Sequence, residues 1–170
     1  MSKLIILRGP SGSGKSTVAK LLFEKVQGRV ALIEQDYYRF MFKPAGDGGK
    51  LHSTTTHQMI KSDVLIALEN GYDVILEGIL GEKSYSKVFE DIFAKHPEEN
   101  YIYYFDISIE ETIRRHKTRT VRDPGFTPED MKSWFPAAHR SNHKFEKVIP
   151  EESSARDSAE FIVQTSALGV

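Results

Sequence analysis

A chain of 170 residues with 39% apolar and 28% charged side chains is long enough for one domain with a full core, and that balance excludes disorder and membrane embedding. The formal net charge of −1 leaves no global field to draw nucleic acid or anionic lipid. No cysteine is present, so disulfides, thiolate catalysis and zinc–thiolate sites are ruled out.

Leu4-Ile5-Ile6-Leu7 is a short apolar run, too brief for a helix and rich in strand formers. It begins so near Met1 that no room is left for a signal peptide, and no apolar run reaches the length of a membrane span, so a cytoplasmic protein is expected. Gly9-Pro10-Ser11-Gly12-Ser13-Gly14-Lys15-Ser16 follows, with Thr17 behind it, and matches G-x-x-x-x-G-K-[ST] in full, the phosphate-binding loop or Walker A motif. Val18, Leu22 and Val26 then fall at helical spacing, and Gly28 stops the helix. Strand, glycine-rich turn and helix are the context that confirms the motif. The glycines let successive amides curl around a phosphate, and the new helix points its positive end at the same spot. Lys15 supplies a charge for the β- and γ-phosphates, and Ser16 a hydroxyl for magnesium.

Residues 29–33 form a second strand, which ends in Glu34-Gln35-Asp36-Tyr37-Tyr38-Arg39. Residues 43–56 hold three glycines, a proline and little apolar matter, and are expected to be a mobile surface loop. A helix over 57–70 carries Ile60, Val64 and Ala67–Leu68 on one face; 72–76 is a third strand, ended by Glu77-Gly78. Tyr85, Val88–Phe89 and Ile92–Phe93 mark an amphipathic helix, stopped by Pro97. Residues 101–107 are a fourth strand. The helix after it starts at Ser108, which with Glu111 reads as a capping box, and carries the block 114–122. Five of those nine residues are Arg or Lys, and Arg115, Arg119 and Arg122 fall at i, i+4 and i+7, so they are expected to share one helical face. Asp123-Pro124-Gly125 breaks it, and Thr127-Pro128 starts the next helix, in which Trp134 is expected to be core. Residues 145–149 are a fifth strand, and a last helix from Ser154 turns Ala159, Ile162 and Val163 inward.

Strands alternating with helices imply a parallel sheet covered on both faces, with the ligand beyond the carboxyl ends of the strands. That edge gathers Gly9–Thr17, Asp36 and Glu77–Gly78. Phosphoryl transfer to an alcohol needs a group to take the acceptor's proton, charge to neutralise the moving phosphoryl, and exclusion of water. Asp36 is the candidate for the first. Arg39 either holds a polar group of the acceptor or orients Asp36, and Tyr37 lies where an acceptor would enter. Glu77 has two open roles, toward magnesium through water or toward the acceptor beside Gly78. The arginines, Arg119 ahead of Arg115 and Arg122, are the candidates for the moving charge.

With these residues in place the chain resembles the P-loop kinase family, which includes shikimate, gluconate, adenylylsulfate and chloramphenicol kinases and the zeta-toxin kinases. The resemblance runs through nearly the whole chain in order of elements, and Gly9–Thr17 is its most specific part. It implies a single domain over 1–170 with the three-layer α/β/α P-loop NTPase fold of nucleoside and nucleotide kinases and a five-stranded parallel sheet of order 2-3-1-4-5. It further implies ATP as donor with Mg2+, a lid over about 114–127, and an acceptor region over about 37–60. In the chloramphenicol-kinase and zeta-toxin relatives an aspartate after the second strand acts as base, the place Asp36 occupies. Gln35–Arg39 also resembles the uridine-kinase pattern, which keeps nucleosides open as acceptors. Many relatives have Asp where this chain has Glu77. By analogy Ile149-Pro150-Glu151 lies beside the adenine ring.

The expected activity is transfer of the γ-phosphoryl group of ATP to a hydroxyl of a metabolite, nucleoside or antibiotic. A polynucleotide-end kinase is disfavoured by the near-zero net charge, and a nucleotide kinase would use Arg39 on the acceptor's phosphate. A small-GTPase-like switch would carry N-K-x-D, which none of Asn70, Asn100 and Asn142 begins.

Overall fold

Five parallel strands form one sheet, and the strand that leads into the glycine-rich loop is its middle one. The computed structural model describes residues 1–43, 50–118, 126–141, 143 and 145–169. In chain order the elements are β1 (Leu4–Arg8), α1 (Lys15–Lys25), β2 (Val30–Glu34), α2 (Gln35–Met41), α3 (Lys50–Glu69), β3 (Asp73–Gly78) and α4 (Glu82–Lys95). They continue as β4 (Asn100–Asp106), α5 (Ile109–Lys117), α6 (Pro128–Trp134) with a 3₁₀ turn over Phe135–Ala138, β5 (Glu146–Pro150) and α7 (Ala155–Ser166). The strand order is β2-β3-β1-β4-β5, as the resemblance implied.

All five residues of β1 are buried, because the strand has a neighbour on each side and helices on both faces. Its alternation sorts the core into two layers. Leu4 and Ile6 face Ile60 and Val64 of α3 and Tyr85 and Ile92 of α4. Ile5 and Leu7 face Val18 and Leu22 of α1 and Ile162 of α7. Burying each such side chain contributes about 1.5–3 kcal/mol. The register then aligns the carboxyl ends: Glu34 pairs with Glu77, Leu7 with Glu77, and Arg8 with Gly78 and Tyr104. Every loop leaving that edge starts from a fixed backbone.

Several expectations are corrected. The segment 43–56 is not one long loop, since α3 begins at Lys50. Its three glycines and its proline all lie in 44–49, outside the described residues, and Thr56 turns its hydroxyl back onto the Ser53 carbonyl at 2.9 Å in a helical turn. No helix is expected directly after the second strand, yet Asp36 sits in the first turn of the short helix α2. The capping box at Ser108 is half formed. The Ser108 hydroxyl accepts from the Glu111 amide, but the Ser108 N–H goes to Glu151, because Glu111 is drawn off by Arg114 and Arg115. Among the described residues, α5 ends at Lys117 with Thr118 as C-cap. Arg119 and Arg122 lie outside the described residues. Trp134 is half-buried against Phe126, which stacks on His116, rather than deep in the core.

Candidate active site

The amino end of α1 differs from those of α5, α6 and α7. Helices α5, α6 and α7 are each capped by a serine or threonine hydroxyl and carry acids in the first turn. Helix α1 has no side-chain cap and no acid there. The helix dipole there favours an anion. The loop before it is held open by glycine. Gly9 has φ +141°, and a Cβ there would stand 2.8 Å from the Phe105 carbonyl oxygen. No other residue fits this turn without moving β4. Within the loop, buried Lys15 donates to the Pro10 carbonyl at 2.7 Å and to Ser13 Oγ at 3.3 Å. Ser11 and Gly12 are half-buried and Thr17 is exposed at the helix start.

Glu77, the next-to-last residue of β3, faces this loop. It is buried, and its Oε1 accepts from Ser16 Oγ at 3.1 Å. Burial pushes its carboxyl above the ordinary range; the Lys15 ammonium and the Ser16 hydroxyl pull it back, and Asp36 and Glu34 push it further up. The structure thus brings Lys15, Ser16, Glu77 and Asp36 into one electrostatic neighbourhood. A buried acid paired to a hydroxyl beside an ammonium is a donor set that suits a hydrated magnesium ion.

The α2 side is more open. Asp36 is 64% exposed and accepts from Arg39 Nη1 at 3.3 Å. Tyr37 is exposed, its ring edge-on to Tyr38. Behind them Gln35 is buried; its Nε2 donates to the Tyr85 hydroxyl at 2.9 Å, and its Oε1 accepts from the Ile79 amide at 2.9 Å. Burial pushes the Tyr85 phenol up to about 12. Gly78 is required here, because a Cβ would lie 2.5 Å from Gln35 Cβ. Leu80, fully buried, is held at φ +45°, an uncommon conformation for a branched side chain. His57 meets Tyr85 edge-on at 4.3 Å, and burial lowers its pKa.

Arg115 spends its donors on the scaffold. Nε goes to Glu111 at 2.7 Å, Nη1 to the Ser13 carbonyl at 3.0 Å, and Nη2 to the Glu151 carbonyl at 2.7 Å. It therefore braces the glycine-rich loop against the segment after β5, around a cavity of about 40 Å³ lined by Gly14, Ile149, Pro150 and Ser153. Arg114 lies on Glu111 at the surface, and the two guanidiniums hold the Glu111 carboxyl down at about 2.

Sequence reasoning missed Arg8, Gln35 and Leu80. Arg8 is a charged residue at the end of an apolar strand, 1% exposed, with Glu146 at 2.9 Å and Glu82 at 3.4 Å. Its place before the motif was the available signal: a charge on a central strand must find a buried partner. Leu80 gave none.

Sheet order, helix start and glycine-rich loop together define a P-loop fold. The chain belongs to the AAA domain family, which matches residues 4–149. No curated protein sequence matches it. Among solved structures it is similar to a sugar kinase from Janibacter sp. HTCC2649, at 15% identity and TM-score 0.73, over 100% of this chain and 99% of that one. A gluconokinase from Sinorhizobium meliloti 1021 aligns at 15% identity and TM-score 0.66, over 97% and 91%. The adenylylsulfate (APS) kinase CysC of Mycobacterium tuberculosis, in complex with AMPPNP and APS, aligns at 15% identity and TM-score 0.69, over 96% of each. Among the described residues no helix is long and apolar enough to cross a membrane.

Proposed function

We propose that this protein is an ATP-dependent phosphotransferase that moves the γ-phosphoryl group of ATP to a hydroxyl of a small molecule. The observation that carries the reading is the buried Glu77 carboxylate on the Ser16 hydroxyl, beside Lys15 and the uncapped start of α1. An acid kept there against the cost of burial, offset in part by Lys15 and Ser16, is suited to further positive charge arriving with a ligand. The nucleotide-bound kinase structure of the same fold supports ATP as the donor.

In this scheme the amides of Gly12–Thr17 hold the phosphates, with Gly9 and Ser11 shaping the loop, and Lys15 bridges the β- and γ-groups. Ser16, and Glu77 through water, would hold Mg2+, whose charge offsets that building on the phosphate oxygens. Asp36 accepts the hydroxyl proton as the acceptor oxygen bonds to the γ-phosphorus and the bond to the β,γ-bridging oxygen breaks, releasing ADP. Arg39, Tyr37 and Gly78 line the acceptor side, within the region 37–60 and the turn after β3. Arg119 and Arg122 of the lid segment 114–127 stabilise the transferring group, while Arg115 keeps the loop in register. The whole of 1–170 acts as one domain in the cytoplasm.

The test is a screen of alcohols, nucleosides and aminoglycosides for ATP-dependent phosphoryl mass gain with magnesium present. A product that needs both ATP and acceptor supports the proposal. ATP consumption only with polynucleotide ends, falling steeply with salt, would replace it with the strand-end reading.

A further inference from the structure

Arg8 closes β1 one residue before the loop opens, and three segments meet on its buried guanidinium. Nη1 donates to Glu146 at the start of β5 and lies 3.4 Å from Glu82 in the first turn of α4. Nη2 donates to the His139 carbonyl at 2.9 Å. Glu146, with 1% of its side chain exposed, in turn accepts from the Ser141 amide at 3.1 Å and the Ser141 hydroxyl at 2.8 Å. Residues 139–141 form the strand of chain that returns from α6 and its 3₁₀ turn to the sheet. They are thus gripped on both sides of Arg140, itself 55% exposed with Nε 3.7 Å from Glu146.

The grip has no slack at the other end. Arg8 is paired on both edges, with Gly78 and Tyr104, and Gly9 abuts the Phe105 carbonyl. Arg8 Nε finds no acceptor among the described residues. A buried guanidinium that leaves one donor unmet while placing two others on a carbonyl and a carboxylate is arranged around those two partners.

We infer that Arg8, with Glu146, is a positioning residue that couples the root of the nucleotide loop to the returning segment 139–141. A ligand that fixes Gly9 and its neighbours thereby also fixes where that segment meets the sheet. The direction of coupling rests on the proposed nucleotide site; the grip itself does not.

Amide exchange separates the two. In the wild-type protein the Ser141 amide is protected without ligand, and saturating Mg-ATP slows it further, about threefold or more. In the Arg8→Met, Glu146→Leu double variant, where apolar side chains replace the buried pair, a cooperative melt is retained. Its Ser141 amide exchanges about tenfold faster or more and no longer responds to Mg-ATP. Ser141→Ala leaves both buried charges in place and gives a smaller acceleration at 139–141, so the grip is read even if the double variant does not fold. Exchange of 139–141 at the wild-type rate in folded variants overturns the inference, as does a wild-type segment indifferent to bound Mg-ATP. If calorimetry finds no Mg-ATP uptake by the wild type, the proposed function and the coupling both fall, and only the ligand-free grip stands.

Discussion

The two sides of the candidate site are built from different material. The proposed phosphate side is mostly main chain, the start of α1 and a glycine at φ +141° packed on Phe105, with the Lys15 and Arg115 side chains bracing the loop from within and from Glu151. The acceptor side is side chain: Asp36 and Arg39 on a seven-residue helix, Tyr37 exposed, and Gln35 holding the turn after β3. Backbone recognition needs one conformation and accepts any triphosphate. Side-chain recognition can be changed residue by residue, which fits a fold that serves many acceptors.

The sharpest break of this comparison is Lys15→Ala. It removes the charge between loop and phosphates and should take ATP-dependent transfer to background with an unchanged circular-dichroism spectrum. Turnover near the wild-type rate would mean that the phosphate side is not where the chemistry sits. On the other side, Asp36→Asn should lower kcat by about 10²–10⁴ while ATP affinity stays put. A variant that raises only the acceptor KM makes Asp36 a positioner instead. The paired glycine variants sharpen the contrast. Gly9→Ala and Gly78→Ala should each destabilise by about 1–3 kcal/mol, from strain or overpacking. Only the first should weaken ATP binding in calorimetry; the second should act on acceptor turnover. Equal loss of ATP affinity in both would dissolve the division.

The smallest effect is on stability. Glu77 has a folded pKa above its ordinary value, so its contribution to stability is present at low pH and is lost as pH rises through the folded value. Above that folded value the ionised carboxylate is a burden on the ligand-free protein. Glu77→Gln should therefore raise Tm by about 2–4 °C at pH 7, with the gain vanishing toward pH 4. The same variant should weaken the magnesium dependence of ATP binding. A gain that is flat with pH would show that desolvation of Glu77 is not its source.

These two kinds of construction also explain what the sequence disclosed. Gly9–Thr17 could be read outright because a backbone cradle needs glycines at fixed spacing, and the apolar periods of β1, α1 and α7 placed the core. Helix α2 was missed because Gln35–Met41 mixes polar and aromatic residues over only two turns, with no period to detect. The start of α3 was hidden by glycines that all precede it. Ser108 caps α5 as read, but its capping box is half formed because Glu151, 43 residues away, takes the Ser108 N–H while two arginines hold the local Glu111. Arg115 looked like a free cation in a basic block, and only the fold brings Ser13 and Glu151 within its reach.

The central claim, that main-chain amides at the mouth of α1 grip a triphosphate, is tested most directly by calorimetry of Mg-ATP against the wild-type and Lys15→Ala proteins. The account predicts one site per chain in the wild type and a loss of affinity in the variant. A folded wild-type protein that takes up no Mg-ATP, or a variant that binds it equally well, would contradict it.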